Sequence, residues 1–103
     1  MTLHHPAPEE LELPAVLHAL SDPQRLEIVR CLAEDPSPRR CGTFELTVSK
    51  STLTHHFRVL REAGVIEQRA DGTARLNSLR REDLEQRFPG LLDAVLGSVP
   101  ASA

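Results

Sequence analysis

At 103 residues, 40% hydrophobic and 26% charged, the chain is sized for one compact domain around a single core and excludes a two-domain arrangement. With no Trp or Tyr and only Phe44, Phe57 and Phe88 as rings, that core must be aliphatic and helix-rich, and an aromatic platform for stacking single-stranded nucleic acid is excluded. The net charge of −3 is unevenly spread: residues 1–48 carry four Arg against eight acids, residues 49–81 seven cations against three acids, and residues 82–103 one Arg against four acids. A basic middle between acidic ends suits a small domain of which one part meets a polyanion. No apolar run reaches the roughly 20 residues of a membrane span, and the start of the chain lacks the charged and apolar regions of a signal peptide, so a cytoplasmic protein is expected. Two cysteines do not make a disulfide framework, and both are expected to rest as thiols.

In chain order, residues 1–10 hold Pro6 and Pro8 and read as a flexible arm ahead of a domain over 11–99. Pro14 suits the first turn of a helix in which Val16, Leu17 and Leu20 form a short apolar stripe, ending at Ser21-Asp22-Pro23. Ser21 or Asp22 can cap a second helix with Pro23 at its first position, where the missing N–H costs nothing. Leu26, Ile28, Val29 and Leu32 give that helix a broad apolar face before Pro36 stops it. Residues 35–42 are a breaker cluster and read as loop, while Thr43 to Val48 fits either a strand or a single helical turn.

Ser49 opens the clearest element, a capped helix running to Ala63 with Gly64 as its left-handed stop. Leu53, His56, Phe57 and Leu60 fall on one face, and Lys50, Ser51, Thr54, His55, Arg58 and Arg61 on the other. Val65 to Gln68 and Ala74 to Leu79 read as strands around a tight turn containing Asp71-Gly72, with Arg69 and Arg75 flanking the tip. A last helical region starts near Ser78, breaks at Pro89-Gly90 and resumes with Leu91, Leu92, Val95 and Leu96.

This order, mainly α with a small β-hairpin, is that of a winged helix-turn-helix. The major groove of double-stranded DNA admits one helix, which needs short polar and cationic side chains toward its amino end and phosphate partners around them. Lys50, Ser51, Thr52, Thr54, His55 and Arg58 meet that need, and a neighbouring hairpin can set Arg69 and Arg75 on the backbone or in the minor groove. His56, on the apolar face, reads as a core histidine, Asp22 and Arg25 as braces between helices, and Arg61 as a phosphate or solvent group.

Two motifs carry a family resemblance. Ala19-Leu20-Ser21-Asp22-Pro23-Gln24-Arg25-Leu26-Glu27-Ile28-Val29 resembles the A-L-x-D-P-x-R-L-x-I-[LV] opening of ArsR-type transcriptional repressors. The run from Val48 to Ile66 is similar to that family's L-S-x-S-T-[VL]-S-x-H-L-x-V-L-R-E-A-G-[LV]-[VI]. The resemblance covers about residues 13–80 and implies a homodimer that binds an inverted-repeat operator, represses, and lets go on a thiol-redox or small-molecule signal. One departure stands out: only Thr43-Phe44-Glu45-Leu46-Thr47 occupies the place of the family's usual E-L-A-x-x-L-G supporting helix.

The family's metal sites, C-V-C on the supporting helix and D-x-H followed by H and E on the last helix, have no counterpart, so neither metal nor cofactor is expected. Cys31, beside Leu32, and Cys41, after Arg39 and Arg40 whose charges favour the thiolate, are the redox candidates. Val16, Leu17 and Leu20 at one end and Leu91, Leu92, Val95 and Leu96 at the other are the candidate dimer surface. No nucleophile, base and orienter come together in the pattern and no glycine-rich phosphate loop is present, which argues against an enzyme. Two rivals stand beside the repressor reading: a winged-helix module that binds protein, and a constitutive repressor without a sensor.

Overall fold

The computed structural model describes residues 4–34, 39–40 and 49–98. Five α-helices and three strands follow one another over these residues: α1 (Leu13–Leu20), α2 (Pro23–Glu34), β1 (Arg39–Arg40), α3 (Lys50–Ala63), β2 (Ile66–Asp71), β3 (Ala74–Leu79), α4 (Arg81–Arg87) and α5 (Leu91–Gly97). Cys41, the shortened segment over Thr43–Thr47, Val48 and the Ala-Ser-Ala end lie outside the described residues.

Local chemistry accounts for most boundaries. Pro14 occupies the first turn of α1. Asp22 caps α2, its Oδ2 accepting from the N–H of Gln24 at 2.8 Å and of Arg25 at 3.1 Å. Ser49 caps α3 by accepting from the Thr52 N–H at 3.2 Å, and Gly64 ends it at φ +86°. Gly72 takes φ +63° as the first of two loop residues between Asp71 and Ala74, a site where glycine suits a primed hairpin turn.

Val16, Ala19 and Leu20 of α1, Ile28, Val29 and Leu32 of α2, and Phe57 and Leu60 of α3 form the core with Val65, Ile66, Leu84 and Leu92. Full burial of such side chains is worth about 1.5–3 kcal/mol each, so this cluster dominates the fold's stability.

Three expectations are corrected by the backbone. Arg39 and Arg40, inside the stretch read as loop, pair antiparallel with Asn77 and Leu76, giving a three-stranded sheet of order β1-β3-β2. Two strand residues after Pro38 suffice, because β3 has an open edge whose backbone groups need partners. The helix expected from about Ser78 begins at Arg81, since Ser78 and Leu79 pair with Glu67 and Ile66.

The third correction concerns the arm. Residues Pro8–Glu10 form a 3-10 turn, and Leu11 is fully buried. His5 Nε2 accepts from the Gln68 backbone N–H at 3.0 Å, the Pro6 carbonyl accepts from Arg80 Nη1 at 2.8 Å, and the Leu11 carbonyl accepts from Arg87 Nε at 3.0 Å. From His5 onward the segment is strapped across the base of the hairpin and α4, because the apolar Leu11 side chain and three satisfied polar groups outweigh the freedom of a short tether.

Candidate nucleic-acid interface

The candidate interface is built on α3. Its inner flank buries His56, Phe57, Leu60 and Ala63 against the core. Its outer flank leaves Lys50, Ser51, Thr52, Thr54, His55 and Arg58 exposed to solvent. The split follows from the 3.6-residue period: apolar positions recur on one side and the cationic ones have nowhere else to point.

The amino end of this flank is already ordered. Ser49 Oγ donates to Thr52 Oγ1 at 2.9 Å and lies 3.2 Å from Ser51 Oγ, and Thr54 Oγ1 donates to the Lys50 carbonyl at 3.0 Å. These short hydroxyls at a helix amino terminus, with Lys50 beside them, combine hydrogen-bonding reach with a positive field. Arg58 Nε sits 3.5 Å from Glu62 Oε2, an exposed pair that a stronger anion can displace.

Behind α3 lies a polar brace. Arg25, only 7% exposed, donates from Nε to the Ala19 carbonyl at 2.6 Å, from Nη2 to the His18 carbonyl at 3.2 Å and from Nη1 to His56 Nδ1 at 3.2 Å. One guanidinium thereby closes the end of α1 and ties α2 to α3. Burial pushes the His56 pKa below its ordinary value against the pull of Asp22, and the nearby Arg25 and His55 push the same way. The imidazole is therefore neutral at pH 7, and its 3.8 Å approach to Asp22 Oδ2 is no ion pair. Asp22 is held below its usual range: burial opposes this, but the backbone N–H groups of Arg25 and Gln24 and the neighbouring positive charge prevail. The sequence reading of His56 as a core histidine and of Asp22 and Arg25 as braces agrees with this geometry.

Both wing arginines are exposed, but they do not share a face. Arg69 pairs across the hairpin with Leu76, whereas Arg75 pairs with Ala70. Successive cross-strand pairs project to opposite faces, so Arg75 stands on the face of Gln68 and Asn77 and Arg69 on the reverse. Arg61, expected to meet phosphate or solvent, is instead half-buried and turned to the wing, its Nη1 donating to Gln68 Oε1 at 2.7 Å. Gln68 donates in turn from Nε2 to Asn77 Oδ1 at 2.8 Å. Two local signals point to this: polar residues stand at Gln68 and Asn77 where strand alternation calls for apolar ones, and Arg61 falls one turn before the glycine stop.

The candidate dimer residues divide. Val16, Leu20 and Leu92 are buried inside the chain's own core, a correction to the idea that they are left over at the surface. α1 and α5 turn these positions inward because burying their apolar surface removes it from water. Leu17 remains 46% exposed, and Leu91, Val95 and Leu96 are half-buried. Leu17, Leu20, Pro23, Leu26, Ala94 and Val95 line an open apolar groove of about 550 Å³. Cys31 is half-buried on α2, its Sγ 3.7 Å from Glu27 Oε1 and 3.8 Å from Arg30 Nη2. Among the described residues, no three His, Cys, Asp or Glu side chains cluster as a metal site, and no helix is long and apolar enough to cross a membrane.

Comparison with known proteins agrees with this geometry. Residues 22–68 match the family described as "Bacterial regulatory protein, arsR family". The chain is 34% identical over 82 residues, 78% of its length and 82% of the relative's, to the uncharacterized HTH-type transcriptional regulator YceK of Bacillus subtilis. Among solved structures it resembles the transcriptional repressor BigR from Xylella fastidiosa, with a TM-score of 0.65 at 27% identity, covering 87% of this chain and 88% of that one. An ArsR-like transcriptional regulator from Rhodococcus sp. RHA1 shares the fold, with a TM-score of 0.64 at 24% identity, covering 80% of this chain and 77% of that one.

Proposed function

The chain belongs to the arsR family of bacterial regulatory proteins, DNA-binding transcription regulators with a winged helix-turn-helix, and from that membership we propose that it is a homodimeric repressor of an inverted-repeat operator. The observation that carries this reading is the outer flank of α3, where Lys50, Ser51, Thr52, Thr54, His55 and Arg58 are all exposed while the opposite flank is locked into the core. Laid in a major groove, the first turn and a half reaches base edges and Arg58 meets phosphate, with Arg69 and Arg75 of the wing on the adjoining backbone or minor groove. The transcriptional repressor among the structural relatives supports the repressor reading.

Dimerisation is supported by the exposed Leu13 and Leu17 and by the apolar groove beside α5. Two reading helices related by a twofold axis then meet half-sites about one helical turn apart. Release is assigned to a small molecule or to the thiols of Cys31 and Cys41.

Fluorescence anisotropy with a duplex that the protein selects from a random-sequence pool tests the reading. Affinity should fall linearly on a log–log plot against salt, as cation release from several phosphates requires. Binding that ignores salt would instead indicate a protein-binding module, and a monomer in sedimentation at micromolar concentration would remove the dimer.

A further inference from the structure

We propose that Arg61, Gln68 and Asn77 form a positioning bridge that sets the angle between α3 and the wing, and so decides whether Arg75 reaches DNA, although none of the three needs to touch DNA itself. The inference rests on the DNA-binding reading above and adds residues to it that sit behind the contacting surface.

The starting point is what holds the hairpin. Along β2 the side chains alternate, and one face carries the buried Ile66, then the buried Gln68, then the exposed Ala70 near the tip. Ile66 is completely buried and anchors the base. One step further out, where a second apolar anchor is expected, stand Gln68 and its cross-strand partner Asn77, 3% and 0% exposed. Their carboxamides are joined at 2.8 Å, and Arg61 in the last turn of α3 donates to the same Gln68 at 2.7 Å. A buried amide left unsatisfied is costly, so this site accepts few geometries.

Apolar packing is non-directional and lets a hairpin rock about its base, whereas hydrogen bonds weaken steeply away from linearity. The bridge therefore fixes a rotation that the apolar contacts of Ile66 and its cross-strand partner Leu79 do not. His5, which accepts from the Gln68 backbone N–H on the outer edge of β2, holds the same residue from a third side. Two residues beyond Asn77 on the same face comes Arg75, the wing cation turned to the side of α3. A hairpin released at Gln68 swings this guanidinium relative to Lys50 and Arg58 while leaving the reading helix in place.

The test is a double-mutant cycle read as the salt dependence of binding to a duplex selected from a random pool, with circular dichroism confirming the fold of every variant. In the wild-type background Arg75→Ala should lower the slope by about one unit, as loss of one phosphate contact predicts. In a Gln68→Leu, Asn77→Leu background, where the amides are replaced by apolar groups of similar size, the same change should have little effect. Gln68→Glu, which still accepts from Arg61 and can take the amide of a flipped Asn77, should restore sensitivity to Arg75→Ala. Should the double leucine variant fail to fold, Arg61→Met breaks the bridge at its helix end and carries the same expectation. An equal effect of Arg75→Ala in bridged and unbridged backgrounds, including none in either, overturns the bridge while leaving DNA recognition by α3 standing. Loss of salt-dependent binding in the wild-type protein overturns both.

Discussion

The reading helix and the wing lie against the same body but are secured by opposite means. α3 is seated by Phe57 and Leu60, both fully buried, with Arg25 and His56 as a polar lock at its back. The wing has an apolar foot in Ile66 and its cross-strand partner Leu79, and beyond it a carboxamide pair tied to Arg61. Apolar seating fixes depth and supplies stability, while hydrogen bonding fixes orientation at small net gain. On the proposed DNA-binding reading, changes at the bridge reorient the wing while α3 stays seated.

That contrast can be broken at several points. Removing the apolar seat with Phe57→Ala should cost about 3–5 kcal/mol, a large share of the stability of a domain of this size, as measured by denaturant titration. Arg25→Met keeps the side-chain volume but strands the Ala19 and His18 carbonyls, and should cost roughly 2–3 kcal/mol in the same experiment. Gly64→Ala forces a side chain onto φ +86° and drives its Cβ into Leu11 Cδ2, so a loss of about 1–2 kcal/mol is expected, with the His5–Leu11 strap loosened in hydrogen exchange.

The polar lock makes stability depend on pH. With its folded pKa lowered, His56 is protonated more readily in the unfolded chain, so the unfolded state binds more protons just below the ordinary value of 6.5. Stability is fully present above that value, declines as pH falls through it and levels off below the lowered folded pKa. His56→Gln should flatten this part of a stability profile. The Asp22 contribution persists to lower pH and is lost only below 3.8, its own ordinary value, because its folded pKa is lowered.

The smallest effects concern the contacting surface. Arg58→Ala should reduce the salt slope by about one unit with no change in thermal midpoint, since its exposed pairing with Glu62 contributes little to stability. Cys41→Ser should abolish any difference in operator affinity between peroxide and reductant, and an affinity that never differed in the wild-type protein would remove the thiols as the release signal.

How much of this was legible beforehand differs by element. Ser49, the apolar series Leu53, Phe57 and Leu60, and Gly64 announce α3 from cap to stop, because each signal acts within a few residues and the helical period repeats it. Asp22 and Pro23 announce α2 for the same reason. His56 was recognisable as interior from its place in that period, though not its partner Arg25, which lies 31 residues away. The strand pairing of Arg39 and Arg40 and the strap at His5 and Leu11 have no local signature, and the turn of Arg61 to the wing shows in the sequence only through the polar residues at Gln68 and Asn77.

Short-range periodicity, capping and turn chemistry thus determined which segments are helix or hairpin and which side of α3 stays wet. Whether a polar group ends in water or against another chain segment depends on what arrives from far along the sequence. The inward placement of Val16, Leu20 and Leu92, the opposite faces of Arg69 and Arg75, and the bridge from Arg61 through Gln68 to Asn77 were decided only when the elements packed, because hydrogen-bond partners and burial are properties of neighbours in space.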